Sequence, residues 1–595
     1  MKTNNLTRRH FLALASKGIG AAIVSQGVLG SGVVNAALSA NKASVPVEFN
    51  HGVASGDPTQ NAVILWTRVS PVNAKITTDI PVSWEVATDP DFKHLVTNGN
   101  AKVSAKSDYT IKIDALGLHP ATVYFYRFSS GTHFSVTGKT KTLPKGNIEK
   151  AKLAVFSCAN YPAGFFNAYG LAAKQGDFDA VLHLGDYIYE YGRDGYATEH
   201  AEELERLVLP EGEIISLNDY RTRYAQYRTD KDLQALHNTA PFICVWDDHE
   251  ITNDTYVDGA ENHQDDEGDF GQRKLSALQA YFEWMPIRPV VEGNNEIINR
   301  TFKFGNLVDL FMLDTRVVGR DKQLSYSDYF DSEGTFDVSG FTADVSHTER
   351  TLLGKTQRSW LLDELASSNG AWSVLGQQVL MGRMLLPAAI VTQQLSREQY
   401  AEYAQLAFIA SKIKAKDETV TKAQWAYFSK NKDKLTPKVM ALLALPNIPY
   451  NLDAWDGYTQ ERETILQAGV KLKKNLVVLA GDTHNAWANN IRTHEGDIAA
   501  VEFATPGVTS PGFEYYLKLS EKDFAPTEAA ITQLITDLQY FNAANRGFMT
   551  VTFTKEKVTS KWHYVDTVLS KSYKELKSRE QTVESMSNSL GIKLV

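Results

Sequence analysis

The stretch "DAVLHLGDYIYEYG" spans residues 179–192. A short, mostly apolar run over 180–184 stops at Gly185-Asp186, and Tyr189 follows three residues later. The run is too brief for a helix and ends on a glycine, so it reads as a buried strand. One aspartate at a strand end is an ordinary solvated terminus. Several such ends in one chain would mean something else. From residue 151 the pattern repeats in "KLAVFSC", "APFICVWDDHE", "LVDLFMLDTR", "AWSVLGQQ" and "NLVVLAGDTH", each followed by helical or loop-like sequence. Strands alternating with helices define an α/β domain. In open α/β sheets ligands bind where strands deliver their carboxyl ends. Here those ends carry Cys158, Asp186, Asp247-Asp248-His249, Asp314, Gln377-Gln378 and Asp482-Thr483-His484.

Ahead of this domain, residues 47–145 read as all-β. "NAVILWTRV", "IPVSWEVATD", "YTIKIDAL" and "ATVYFYRFSS" are separated by the turns "SGDPTQ", "DPDF" and "LGLHP". The spacing suggests a small antiparallel sandwich, with "TLPKGNIEK" as linker. Residues 1–40 form a leader: Arg8-Arg9, then Phe11-Leu12, then a mildly apolar stretch ending in small residues. It resembles a twin-arginine export signal cleaved between Ala36 and Ala40. Its polar residues and glycines make it a poor membrane anchor, the alternative. That export route carries folded proteins, often with cofactor in place, and implies a periplasmic or extracellular destination. Removing the leader's four positive charges from the formal −9 leaves −13. Such a chain repels nucleic acid and anionic lipid, so neither nucleic-acid binding nor stable membrane insertion is expected. Two cysteines, Cys158 and Cys244, make no disulfide scaffold, although one bridge is possible.

The polar strand ends have a common chemistry. A carboxylate such as Asp186 can bridge two cations, and the phenolate of Tyr189 suits a trivalent metal such as Fe(III). The thiolate of Cys158 beside them also suits iron. In "WDDHEITND", Asp247, Asp248 and Asn253 offer oxygen to a hard cation. His249 could ligate, or act as a general acid. Taken alone, Tyr189 is one of three packed tyrosines and the aspartates are a helix cap. In "VVLAGDTHNAW", Asp482 and His484 lie two residues apart and face the same way on an extended segment. Such mixed ligand sets serve hydrolytic phosphoryl transfer. Ser157 has no histidine base nearby, so a serine nucleophile is a poor reading.

The motifs "GVASGDPTQNAVILWTRV", "FSCANY", "LGDYIYEYG", "DYRTRYAQYRTD", "WDDHEITND", "LDTR", "WDGYTQERETIL" and "GDTHNAWA" resemble those of the PhoD-type alkaline phosphatases, relatives of the calcineurin-like and purple acid metallophosphoesterases. The resemblance implies a four-layer α/β/β/α sandwich over 151–566, preceded by the β-sandwich. It implies an exported phosphomonoesterase and phosphodiesterase acting on small phosphate esters through a metal-activated hydroxide. It further implies Fe(III) held by Cys158, Asp186, Tyr189 and His484, and calcium held by Asp248, Asp482 and Asn253, with manganese or zinc as alternatives. Asp186 would bridge, and His249 would contact phosphate. Arg316, with Asp247, is expected at the substrate. Of Arg221, Arg223, Arg228 and Arg316, at most one should touch it. Asn485 stands where a small residue is expected.

Residues 317–350 read as loop, and 388–445 as helices. Residues 567–595 read as a helix and a loose end, either a lid or a solvated tail. Two other functions remain open: a phospholipase D-like phosphodiesterase, and an exported binding protein with a dead α/β domain.

Overall fold

The strand Leu476–Ala480 shows how the core is divided. Val477 and Leu479 point into one hydrophobic cluster, while Leu476, Val478 and Ala480 point into another. A strand buried alternately on both sides belongs to a sheet covered on both faces. Its neighbours divide the same way: Leu310 and Met312 against Phe311, Val374 against Leu375, Phe503 against Ala504. The computed structural model describes residues 45–73, 76 and 78–595. The expected export leader at 1–40 lies outside the described residues.

This seven-stranded sheet runs Arg300–Phe304, Val308–Met312, Trp372–Gly376, Leu476–Ala480, Ile498–Ala504, Ala486–Arg492, Leu538–Asn542. Four central strands, from Val308–Met312 to Ile498–Ala504, are parallel. Opposite lies a ten-stranded sheet whose parallel centre is Ala151–Phe156, Ala180–His183 and Phe242–Cys244. Ala154, Val181 and Ile243 of this sheet share one cluster with Val477 and Leu479 of the other. Helices Asn167–Gln175, Leu217–Tyr227 and Phe270–Trp284 cover its outer face; Gly354–Ser367 and Thr459–Lys471 cover the seven-stranded sheet. The layers are therefore α/β/β/α, as the motifs implied.

The N-terminal region differs from the separate sandwich expected for it. Ile80–Ala87, Leu95–Val103, Val123–Ser130 and Gly138–Lys141 form one antiparallel sheet, with His133–Phe134 at its side. Its partner strands, Val53–Gly56, Ala62–Arg68 and Thr110–Leu116, are the edge of the ten-stranded sheet, joined through Phe242 and Gly56. Alternation explains the double duty: Val63 and Leu65 face Val82, Val86 and Phe128, while Ala54 and Trp66 face the main core. Asp57, just past Gly56, receives Arg300 Nη2 at 2.8 Å and Arg300 Nε at 3.0 Å, which ties the seam.

The carboxyl terminus is a correction. Residues 567–595 hold no α-helix. Gln581–Met586 and Ser589–Leu594 form a hairpin that extends the ten-stranded sheet. In "QTVESM" Val583 and Ser585 are buried and alternate with more exposed neighbours, the period of a strand. The helix formers in "YKELKSRE" masked it. No residue of this segment lines the cavity described below. Residues 317–350 are more ordered than expected: the helix Val338–Val345 packs Phe341 beside Phe336, Ile448 and Leu452. The helices expected in 388–445 are present, the longest being Arg397–Lys414. Among the described residues no helix is long and apolar enough to cross a membrane. Cys158 and Cys244 are both unpaired, so the possible bridge is absent.

Val583 is wholly buried on the terminal hairpin. Val583→Ala should destabilise the protein by about 1–3 kcal/mol. A lowered melting temperature with unchanged turnover per folded molecule checks it.

Candidate active site

Cys158 (φ 61°), Asp186 (φ 55°), Asp482 (φ 63°) and His484 (φ 61°) all follow parallel strands and all have left-handed backbone. For non-glycine residues this conformation costs roughly 1–3 kcal/mol each and persists only where the surroundings enforce it. At Asp186 the enforcing group is Glu250. Its carboxylate accepts from the backbone N–H of Asp186 (2.9 Å), Tyr187 (2.5 Å), Ile188 (3.3 Å) and Asp247 (2.7 Å). Gly185 makes the approach possible: a Cβ there would lie 2.4 Å from the Asp247 nitrogen. The abrupt end of "LHLGD" is thus a turn clamped onto the next strand's end.

The turns bring two groups of ligand atoms together. Within each, the atoms lie within 4.8 Å of one another: Cys158, Asp186 and His484 in one; Asp186, Asp248 and His249 in the other. Asp186 belongs to both. Tyr189 joins the first group, its Oη 3.0 Å from Asp186 Oδ2 and 3.2 Å from His484 Nε2. His484 Nδ1–H donates to the Pro511 carbonyl at 2.7 Å. Burial pushes this histidine down to about 3, so it is neutral and its Nε2 lone pair faces the group. Asp186 Oδ1 is buried without a hydrogen-bond partner.

The electrostatics are those of a site that lacks positive charge. Burial, then crowding by other carboxylates, raises Asp186 and Asp482 well above the usual range. Burial and Asp186 likewise raise the Cys158 thiol and the Tyr189 phenol. A bound cation reverses such shifts. On His249 burial acts against charge, but Glu190, Asp248 and Asp186 outweigh it and raise its pKa. Glu190 accepts from His249 Nδ1 at 2.7 Å, from Asn253 N at 2.7 Å and from Asn262 Nδ2 at 2.9 Å.

A cavity of about 240 Å³ opens above these groups. Asp186, Asp248, His249, Asp482 and His484 form its floor, and Asn253 and Asp254 one side. Tyr191, Tyr196, Tyr450, Trp487, Phe513 and Tyr516 form the walls. No lysine or arginine among the described residues lines it.

Arg316 and Asp247, expected at the substrate, are elsewhere. Both are fully buried and neither lines the cavity. Arg316 Nε meets Asp247 Oδ1 at 2.5 Å, and its two terminal nitrogens grip Asp453 at 2.7 and 2.8 Å. Asp248 and Asp482 stand 3.7 and 3.5 Å from the same guanidinium. It props the acidic floor from behind. Arg221 is paired with Glu283, Arg223 holds the Tyr189 carbonyl, and Arg228 holds the Tyr187 hydroxyl. Asp314 and Gln378 also serve structure: Asp314 caps the turn at 316–318, and Gln378 donates to the Trp246 and Leu313 carbonyls.

A two-sheet α/β core that gathers these donors at its strand ends is that of a phosphoesterase. The PhoD-like phosphatase family model matches residues 153–562, and the N-terminal domain model of the same family matches residues 35–144. The chain is 33% identical over 574 residues to alkaline phosphatase D of Bacillus subtilis (strain 168), covering 93% of this chain and 83% of that protein. A solved structure of PhoD matches with a TM-score of 0.72 at 29% identity, over 94% of this chain and 93% of that one. The chain belongs to the PhoD-like phosphatase family and is a phosphoric ester hydrolase. The reading as a non-catalytic binding protein falls with this.

Glu190, Glu250, Asp254 and Asp453 are among the site residues that escaped the motif reading. The first two sit inside "YIYEYG" and "WDDHE", where an acid in an apolar or aromatic run was the available signal. The partners that define them are distant in sequence.

Removing Arg316 leaves Asp247 buried without its cation and strips Asp453 of one of its two, Arg320 remaining. Arg316→Ala should cost about 3–5 kcal/mol, seen as a large fall in melting temperature. A raised KM at unchanged stability would instead mean that it contacts substrate.

Proposed function

We propose that the chain is an exported, metal-dependent phosphomonoesterase with phosphodiesterase activity, using an Fe(III)–calcium centre. The observation that carries this is the acid-lined cavity without lysine or arginine among its described lining residues. A phosphate ester is anionic, and a floor of three aspartates repels it unless cations intervene. The donors suit two kinds of cation. Cys158, Asp186, Tyr189 and His484 combine thiolate, carboxylate, phenolate and imidazole, a set for ferric iron. Asp248, Asp482 and Asn253 supply oxygen, a set for calcium, with Asp186 shared between the two positions. The unpartnered Oδ1 of Asp186, and the Nε2 of His484 turned toward Tyr189 by the bond its Nδ1 makes to Pro511, fit this assignment.

When bound, the cations lower the pKa of water and neutralise phosphoryl oxygens. The chain supplies the rest. Asp186, held by Glu250, fixes the spacing of the two positions. His249, oriented by the Glu190 carboxylate at its Nδ1, presents its Nε2 to a phosphoryl oxygen or the departing alcohol, to which it can give a proton. The open aromatic wall leaves room for a second ester group, which supports diester as well as monoester turnover and keeps a phospholipase D-like preference as the second reading. Comparing an aryl phosphate with a bis-aryl diester separates them: strong diester preference would demote the monoesterase.

Cys158→Ala and Tyr189→Phe should each lose iron and its visible absorbance, and lower turnover at least tenfold. Elemental analysis of protein exported by its own leader measures iron and decides between calcium, manganese and zinc. Unchanged absorbance in both variants would falsify the iron ligands.

A further inference from the structure

The cavity wall formed by residues 511–516 is held in place by devices that the hydrolytic chemistry does not need. The Pro511 carbonyl accepts from His484 Nδ1–H and from the Tyr196 hydroxyl. Asn485, fully buried, accepts from Phe513 N at 3.1 Å and donates to the Asn542 and Ala543 carbonyls at 3.2 and 2.7 Å. Gly512 permits this contact, since a Cβ there would lie 2.4 Å from Asn485 Oδ1. Glu514 accepts from Gly512 N and from Arg546, whose charge is thereby used. The product is a rigid shelf, the short helix Phe513–Tyr516, that presents rings to the cavity.

The rings are ordered but uncovered. Tyr516 stacks nearly parallel to Tyr196, at 6° and 6.3 Å between centroids, yet is 59% exposed. Tyr450 packs against Phe513 at 5.6 Å and is 41% exposed. Large aromatic surfaces lining a cavity and left wet are surfaces for a ligand to cover. Arg546 is paired with Glu514, Tyr515 donates to Glu199, and no lysine or arginine among the described residues lines the cavity beside the shelf.

We propose that this shelf is the alcohol subsite and that it takes a flat, uncharged ring system, as in a nucleoside monophosphate, by stacking on Tyr516 and Tyr450. The inference rests on the cavity being the phosphate-ester site. Asn485 is a positioning residue that acts through the shelf.

The test uses the metal-loaded full chain with adenosine 5′-monophosphate and glycerol 3-phosphate. Both release a primary alkoxide, so the ratio of their kcat/KM values reports on the alcohol and not on leaving-group acidity. The wild type should favour the nucleotide roughly tenfold or more, the scale of one base stacked on one ring. Tyr516→Ala should cut the ratio about tenfold, chiefly through KM, while Tyr516→Phe keeps it. Asn485→Ala should lower the same ratio, again through KM more than kcat. Adenosine alone should bind the wild type, quenching its aromatic fluorescence, and bind Tyr516→Ala more weakly. A wild-type ratio near one, or a ratio and adenosine affinity unmoved by Tyr516→Ala, overturns the subsite. Hydrolysis of neither ester would overturn the phosphatase reading instead, and adenosine binding would still decide for or against the shelf.

Discussion

The carboxylate of Glu250 collects four backbone N–H groups, three from the turn after one strand and one from the end of the next. The turn at 186–188 does not satisfy its donors alone. With the carboxylate between them, a left-handed Asp186 becomes the local minimum, and its side chain is fixed between the two groups of donors. Everything else in the site is placed relative to that carboxyl. Tyr189 reaches it from three residues on, His484 approaches from the opposing sheet, and His249 follows from the turn that Glu250 ends.

The second constraint is charge. Four aspartates surround one buried guanidinium, that of Arg316. Arg320 also binds Asp453, but two positive charges cannot compensate four negative ones in a dry interior. The fold thus stores an unmet demand for cations on its cavity side while meeting part of that demand from behind. A phosphatase gains from this arrangement: whatever enters to satisfy the floor is also what attracts the anionic substrate.

How much of this was legible follows from the range of each interaction. Cys158, Asp186, Asp248, Asp482 and His484 could be read because each ends a short apolar strand, a local and visible event. The two-sheet core was legible for the same reason. Arg316 was misread because "LDTR" shows a cation beside a turn, while the carboxylate that grips it, Asp453, lies 137 residues away. The terminal hairpin was misread because its polar face and preceding helix formers hid a period of two. Asn485 looked like an oddity in a motif, and only its contact with Phe513 explains it. Local patterns reveal which residues face a site; contacts across hundreds of residues decide which of them touch the ligand and which hold the others.

The ten-stranded sheet begins with Val53–Gly56 and ends with Ser589–Leu594. Its order interleaves strands more than 500 residues apart in sequence, and the strand leading to Cys158 pairs directly with Gly547–Phe553. Such long-range pairing raises contact order and slows folding. Until those strands pair, the sheet is half built with open edges, which invites aggregation and engagement by chaperones, and Cys158 and Asp186 have yet to meet His484, some 300 residues further along the chain.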